Sequence, residues 1–147
     1  MARLNTAQNT AWRLFLKTHA VLLAQIEQTL KQANLPDLSW YDVLWALEEA
    51  PDHRLRLHEL ADALVLQRSN LTRLVDRMEQ AGFVKREICD RDRRGAFAVI
   101  TKEGLALRQQ IWQVYSKSIH QHFAQRLSDE QITALTQVFS LLLKTHA

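Results

Sequence analysis

The chain has 147 residues, 47% hydrophobic and 24% charged, with three glycines, two prolines and a net charge of +3. That length suffices for one domain with a real core, and so few glycines and prolines exclude a turn-rich sandwich or barrel. No apolar run is long enough to span a membrane and the N-terminus has no signal core, while the single cysteine, Cys89, excludes an internal disulfide; a cytoplasmic protein is expected.

In chain order, Ala11, Leu14, Phe15, Val21, Leu22, Ile26 and Leu30 recur at helical spacing and predict one helix over 6–33. Asn34-Leu35-Pro36-Asp37 is expected to end it, because proline disfavours helical geometry in the residue before it. Ser39 is expected to cap a second helix, with Asp42 three residues on as a short capping box. Trp40, Val43, Leu44 and Leu47 form the apolar side of that helix, which stops before Pro51. Arg54-Leu55-Arg56 alternates as a short strand. Leu57, Leu60, Ala61 and Leu64 then mark a two-turn helix, and Val65-Leu66-Gln67 a turn.

Leu71, Leu74, Val75 and Met78 follow at i, i+3, i+4 and i+7. They predict an amphipathic helix from Arg68 to Gln80, stopped by Gly82. Two β-prone runs, 83–88 and 96–100, flank Asp90-Arg91-Asp92-Arg93-Arg94-Gly95 and read as a hairpin with a charged tip. Thr101 caps a long helix carrying Leu105, Leu107, Ile111, Val114, Ile119 and Phe123. Ser128 and Gln131 form a capping box for a last helix, striped by Ile132, Leu135, Val138, Phe139, Leu142 and Leu143. The predicted fold class is mainly α with a small β-hairpin wing.

The terminal stripes are too apolar to face water and need a partner surface. Packing of the ends on one another within a monomer would provide one. A two-fold dimer built from both ends buries more, and a homodimer is expected. The single chain, 1–147, is thus read as a central winged helix-turn-helix region, 39–100, flanked by dimerisation helices at 6–33 and 101–147.

Between Gln67 and Arg94 eight basic residues stand against five acidic ones, so the chain's whole net charge of +3 lies there. A basic patch on a neutral body is the footprint of a polyanion binder, although a solvated charged face has the same composition. The polar side of the Arg68–Gln80 helix, with Gln67 at its start, carries Arg68, Ser69, Asn70, Thr72, Arg73 and Arg77. Arginine forks suit guanine edges, asparagine suits adenine, and small hydroxyls suit phosphates or either base. Ser69, Thr72, Arg73 and Gln67 are therefore expected to read or position the major groove. Arg68, Arg77, Lys85 and Arg86 are expected on phosphates. At the hairpin tip, Arg93 and Arg94 suit a narrow minor groove, with Asp92 orienting Arg94 through a charge-assisted pair and Arg91 counted among the DNA-binding residues.

The series Arg68-Ser69-Asn70-Leu71-Thr72-Arg73-Leu74-Val75-Asp76-Arg77, Gly82-Phe83-Val84, Asp90-Arg91-Asp92-Arg93-Arg94 and Thr101-Lys102-Glu103-Gly104 resembles the MarR family of winged-helix repressors. The likeness is strong over the central third, and the flanking helices fit in length and order. It implies a homodimer with interlocking terminal helices, two winged helices on a palindromic, inverted-repeat operator in double-stranded DNA, the helix from Arg68 in the major groove and Arg94 on DNA. Gln67, where the family often has a capping serine, and Val65, where a turn glycine often sits, depart from the pattern and put the cap geometry in question.

The resemblance also implies release of DNA by a small aromatic or phenolic effector. Trp12, Phe15, His19, Trp40, Tyr41, Trp45 and Trp112 are the candidate lining residues, and aromatics at this spacing serve equally well as core. No metal is expected: His120 and His122, two apart, fall on different helix faces, and no second cysteine exists. The cysteine near the first helix that peroxide-sensing members use is absent. No cofactor and no enzymatic activity are expected, since no nucleophile–base or paired-carboxylate arrangement accompanies a cleft-forming segment. The predicted function is a DNA-binding transcriptional regulator, a repressor. The alternatives are a winged-helix protein-interaction module and a constitutive DNA binder or activator without ligand control.

Overall fold

The computed structural model describes residues 2–66, 70–88 and 96–145. The chain begins with α1 (Thr6–Gln32) and α2 (Leu38–Glu49), a 3-10 turn (Pro51–His53), β1 (Arg54–Arg56), α3 (Leu57–Ala63) and α4 (Leu71–Gln80). It continues through β2 (Val84–Ile88), β3 (Ala96–Ile100), α5 (Lys102–His122), a second 3-10 turn (Ala124–Arg126) and α6 (Asp129–Thr145). Two compact units result: Leu30–Val114, and residues up to Thr29 together with those from Tyr115 onward. The division falls inside α1 and α5, so the first part of α5 packs with the winged unit, whereas the sequence reading assigned 101–147 whole to the ends. Among the described residues, no helix is long and apolar enough to cross a membrane.

In the winged unit the three strands form an antiparallel sheet in the order β1-β3-β2. Arg54 pairs with Val99 and Arg56 with Phe97, while Val84 pairs with Ile100 and Ile88 with Ala96. Period-two alternation then separates the faces. Val84, Ala98 and Ile100 are buried on one. On the other, the Arg54 and Arg56 guanidinium groups lie 4.6 and 4.8 Å from the centre of the Phe97 ring. The core also takes Leu30, Leu38, Val43, Leu44 and Leu47, Leu60 of α3, Leu74, Val75 and Met78 of α4, and Leu107 and Ile111 of α5. Each such side chain contributes about 1.5–3 kcal/mol of burial.

Two helix ends depart from the sequence reading. The last turn of α1 closes at Asn34, which takes a left-handed φ of 59°, with the Leu35 N–H donating to the Leu30 carbonyl at 3.0 Å. This Schellman-type closure ends the helix before Pro36 acts. At the start of α2, Asp37 is the cap in place of Ser39: its Oδ1 accepts from the Ser39 N–H at 3.0 Å and from the Ser39 hydroxyl. A carboxylate two residues earlier takes the exposed amide first, and Asp42 is left for another task.

The Thr-x-x-Gly motif ties the wing to α5. The Thr101 hydroxyl donates to the Gly82 carbonyl at 2.7 Å and accepts from the Gly104 N–H at 3.0 Å, while the Thr101 N–H donates to the Phe83 carbonyl at 3.1 Å. Gly82, at φ +87°, makes the left-handed exit from α4. Gly104 is required by space instead, since a Cβ there would overlap the Phe83 carbonyl oxygen.

The terminal unit holds most of α1, the end of α5, and α6. Reciprocal capping boxes open both terminal helices. Asn5 and Gln8 exchange side chain-to-backbone bonds at 3.0 and 2.7 Å, and Ser128 and Gln131 do so at 2.9 and 3.2 Å. Ile26 is the sole large apolar side chain of this unit that is buried among the described residues.

Candidate nucleic-acid interface

The interface is built from α4 outward. Leu71, Leu74, Val75 and Met78 are buried and fix the inner face of the helix. Thr72, Arg73, Arg77 and Gln80 are thereby left exposed. The helix starts at Leu71, three residues later than the sequence reading placed it. Asn70 precedes it at φ +133°, outside helical geometry, and makes no side-chain cap bond. Asn70 therefore belongs to the approach to the helix and not to its polar face.

The cations divide into two groups. Arg86 on β2 forms an ion pair with Asp76 of α4 at 2.5 Å, and its backbone N–H donates to Glu79 at 3.0 Å. Lys85 lies 3.5 Å from Glu87, which also holds Arg54 at 3.5 Å. These are exposed pairs, weak and screened by salt. They tie β2 to α4 and to β1 and leave Lys85 and Arg86 partly neutralised. Arg73 and Arg77, by contrast, pair with no carboxylate among the described residues. Gln67, Arg68 and Ser69, and the wing tip with Cys89, Arg91, Asp92, Arg93 and Arg94, lie outside the described residues.

The approach to α4 is held by a residue that sequence reasoning assigned elsewhere. Asp42 of α2 is buried, and its two carboxylate oxygens accept from the Val65 N–H at 3.1 Å and the Leu66 N–H at 2.7 Å. The turn needs no glycine, since Val65 keeps a negative φ. A lone carboxylate inside the apolar run 38–47 was the signal available for finding it.

The candidate pocket residues divide between the units. Trp12 and Phe15 lie in the terminal unit, with ring centres 5.8 Å apart, and Phe15 lies 6.2 Å from Phe139. They line an apolar groove of about 710 Å³ with Ala11, Leu135 and Leu142. His19 lines a smaller cavity of about 190 Å³ with Leu22, Ile26 and His122. In the winged unit Trp40 meets Phe83 edge-on at 6.0 Å, Tyr41 stacks on Trp112 at 6.0 Å, and Trp45 is exposed. Burial pushes the Tyr41 phenol above its ordinary pKa, opposed by its hydrogen bond to Arg108. Arg108 in turn forms an ion pair with Glu48. Arg108 and Glu48 were not singled out from sequence, where each reads as an ordinary surface charge.

Comparison with known proteins agrees with this geometry. A family model described as the MarR family matches residues 33–95. The HTH-type transcriptional regulator PrsX of Escherichia coli is 33% identical over 93 residues, 63% of this chain; the match spans little more than half, 56%, of that relative's length. The transcriptional repressor MprA of Escherichia coli is 28% identical over 131 residues, covering 89% of this chain and 73% of MprA. Among solved structures, AbsC, a MarR family transcriptional regulator from Streptomyces coelicolor, is 32% identical with a TM-score of 0.84, covering 99% of this chain and 97% of AbsC. Sco3205, a MarR family transcriptional regulator from the same organism solved in complex with DNA, is 28% identical with a TM-score of 0.86, covering 99% of this chain and 94% of its own. With a family model over the winged region and AbsC matched over nearly its whole length, the chain belongs to the MarR family of transcriptional regulators.

Proposed function

We propose that the protein is a repressor that binds an inverted-repeat operator as a homodimer, with α4 in the major groove and the wing arginines in the minor groove. The observation that carries this reading is the outward face of α4, where Thr72, Arg73 and Arg77 are exposed and the two arginines are uncommitted to any carboxylate among the described residues. Guanidinium forks beside a small hydroxyl on a packed helix are what base-edge recognition requires. The DNA-bound structure of Sco3205 and the repressor name of MprA support the same assignment. The exposed apolar helices of the terminal unit support association of two copies, which spaces two α4 helices for two half-sites. Promoter occlusion by such a dimer is the mechanism of repression.

A small aromatic acid is proposed as the effector. The stacked Tyr41–Trp112 pair beside Arg108 supports it: ring faces and a guanidinium group together recognise a planar anion, whose carboxylate would take the place of Glu48 on Arg108.

The test is a mobility-shift titration of duplex DNA flanking the protein's own gene, at several salt concentrations. Tight binding that weakens steeply with salt is expected, because phosphate contacts release counterions. Arg94→Ala should weaken it by about 1–3 kcal/mol. A flat salt dependence contradicts DNA binding, and an unchanged affinity for Arg94→Ala contradicts the wing contact.

A further inference from the structure

Asp42 is the buried carboxylate that the mechanism above leaves unused. It sits in the second turn of α2, 6% exposed, and reaches across 23 and 24 residues of sequence to the Val65 and Leu66 amides. Those amides follow the end of α3, where Leu64 has turned to extended geometry (φ −69°, ψ 137°) and its own N–H closes the helix on Leu60. Neither amide has a helical partner, and Asp42 is the acceptor that holds both at the point where the chain turns toward α4. Two successive N–H groups aimed at one anion form a backbone nest. Each oxygen takes one donor, which fixes both the position and the orientation of the turn.

We infer that Asp42 is a positioning residue for DNA recognition: it clamps the turn between α3 and α4 and so sets where the residues that read the major groove begin. The inference rests on the proposed DNA-binding function. Only four residues separate Leu66 from Leu71, the first residue of α4. A freed turn therefore loosens the approach to α4 and lets Thr72 and Arg73 shift against the base edges. Binding to nonspecific duplex depends on net charge and tolerates such shifts; base-edge hydrogen bonds do not. Loss of the clamp should therefore cost specificity more than general affinity.

The test compares full-length wild type, Asp42→Asn and Asp42→Glu on operator and on scrambled duplex, with circular dichroism as the check of fold. Asp42→Asn keeps the shape but turns one acceptor into a donor facing an N–H. Operator affinity should fall about tenfold, the scale of a lost charge-assisted hydrogen bond, while scrambled-duplex affinity stays within about twofold. Asp42→Glu keeps charge and both acceptors and should recover part of the loss. Equal losses on both duplexes, or no loss on operator, would overturn the role. If Asp42→Asn does not fold, amide exchange of the wild type decides: Val65 and Leu66 protected as strongly as the α4 amides supports the clamp, and exchange at free-peptide rates overturns it. Failure of the wild type to bind any duplex would overturn the DNA-binding reading itself, and is distinct from a defect confined to the variants.

Discussion

In the winged unit Val43, Leu44, Leu47, Leu60, Leu74, Val75 and Met78 have no solvent exposure, whereas in the terminal unit eleven large apolar side chains keep 40–71% of theirs. They include Trp12, Phe15, Val138, Phe139, Leu142 and Leu143. The two units draw on similar residue types, so composition does not separate them. One closes its core on itself by packing helices on a sheet; the other presents a stripe that a single copy leaves uncovered. An exposed apolar surface of this kind marks an interaction site, which is why the terminal unit is read as the place where two copies meet. The polar surfaces differ in the same way. The winged unit pairs Arg86 with Asp76 and Arg108 with Glu48, and leaves Arg73 and Arg77 outward.

Leu44→Ala, in the closed core, should give the largest effect that bears on this contrast. It should lower stability by about 2–5 kcal/mol, read by denaturant titration, because a cavity remains where packing was complete. A loss under 1 kcal/mol would mean that the winged core is looser than its burial implies. Phe139→Ala, in the open unit, should act on association instead. Sedimentation should show the dimer weakened by about 2 kcal/mol, or roughly 30-fold, in line with truncation of an interface aromatic. Helix content should stay near the wild-type value. A loss of folding with no change in association would place Phe139 in an intramolecular core and erase the contrast.

Much of the winged unit was legible from sequence because its elements obey local rules. The i, i+3, i+4, i+7 spacing of Leu71, Leu74, Val75 and Met78 gave the buried face of α4, and Gly82 gave its end. β3 matches the predicted run 96–100 and β2 starts one residue inside its own. The capping box of Ser128 and Gln131 was visible for the same reason, since three-residue spacing is a local signal. The features that sequence missed depend on distance or competition. Ser39 and Asp37 both suit a cap, and only backbone geometry chose Asp37. The partners of Asp42 lie 23 and 24 residues away, beyond any periodicity. The engagement of Arg86 by Asp76 required knowing how β2 meets α4. The ligand candidates were the least legible group, because aromatic spacing does not distinguish a lined pocket from packed rings.

The proposed reading of base edges rests most directly on Arg73 and Arg77 of α4, which pair with no carboxylate among the described residues. Fluorescence anisotropy of the wild type and Arg73→Ala on operator and on scrambled duplex, at one fixed salt concentration, measures what they do. The account predicts that Arg73→Ala weakens operator binding by about 1–3 kcal/mol while scrambled-duplex binding changes far less, so the ratio between the two collapses. An operator-to-scrambled ratio equal to that of the wild type would contradict it.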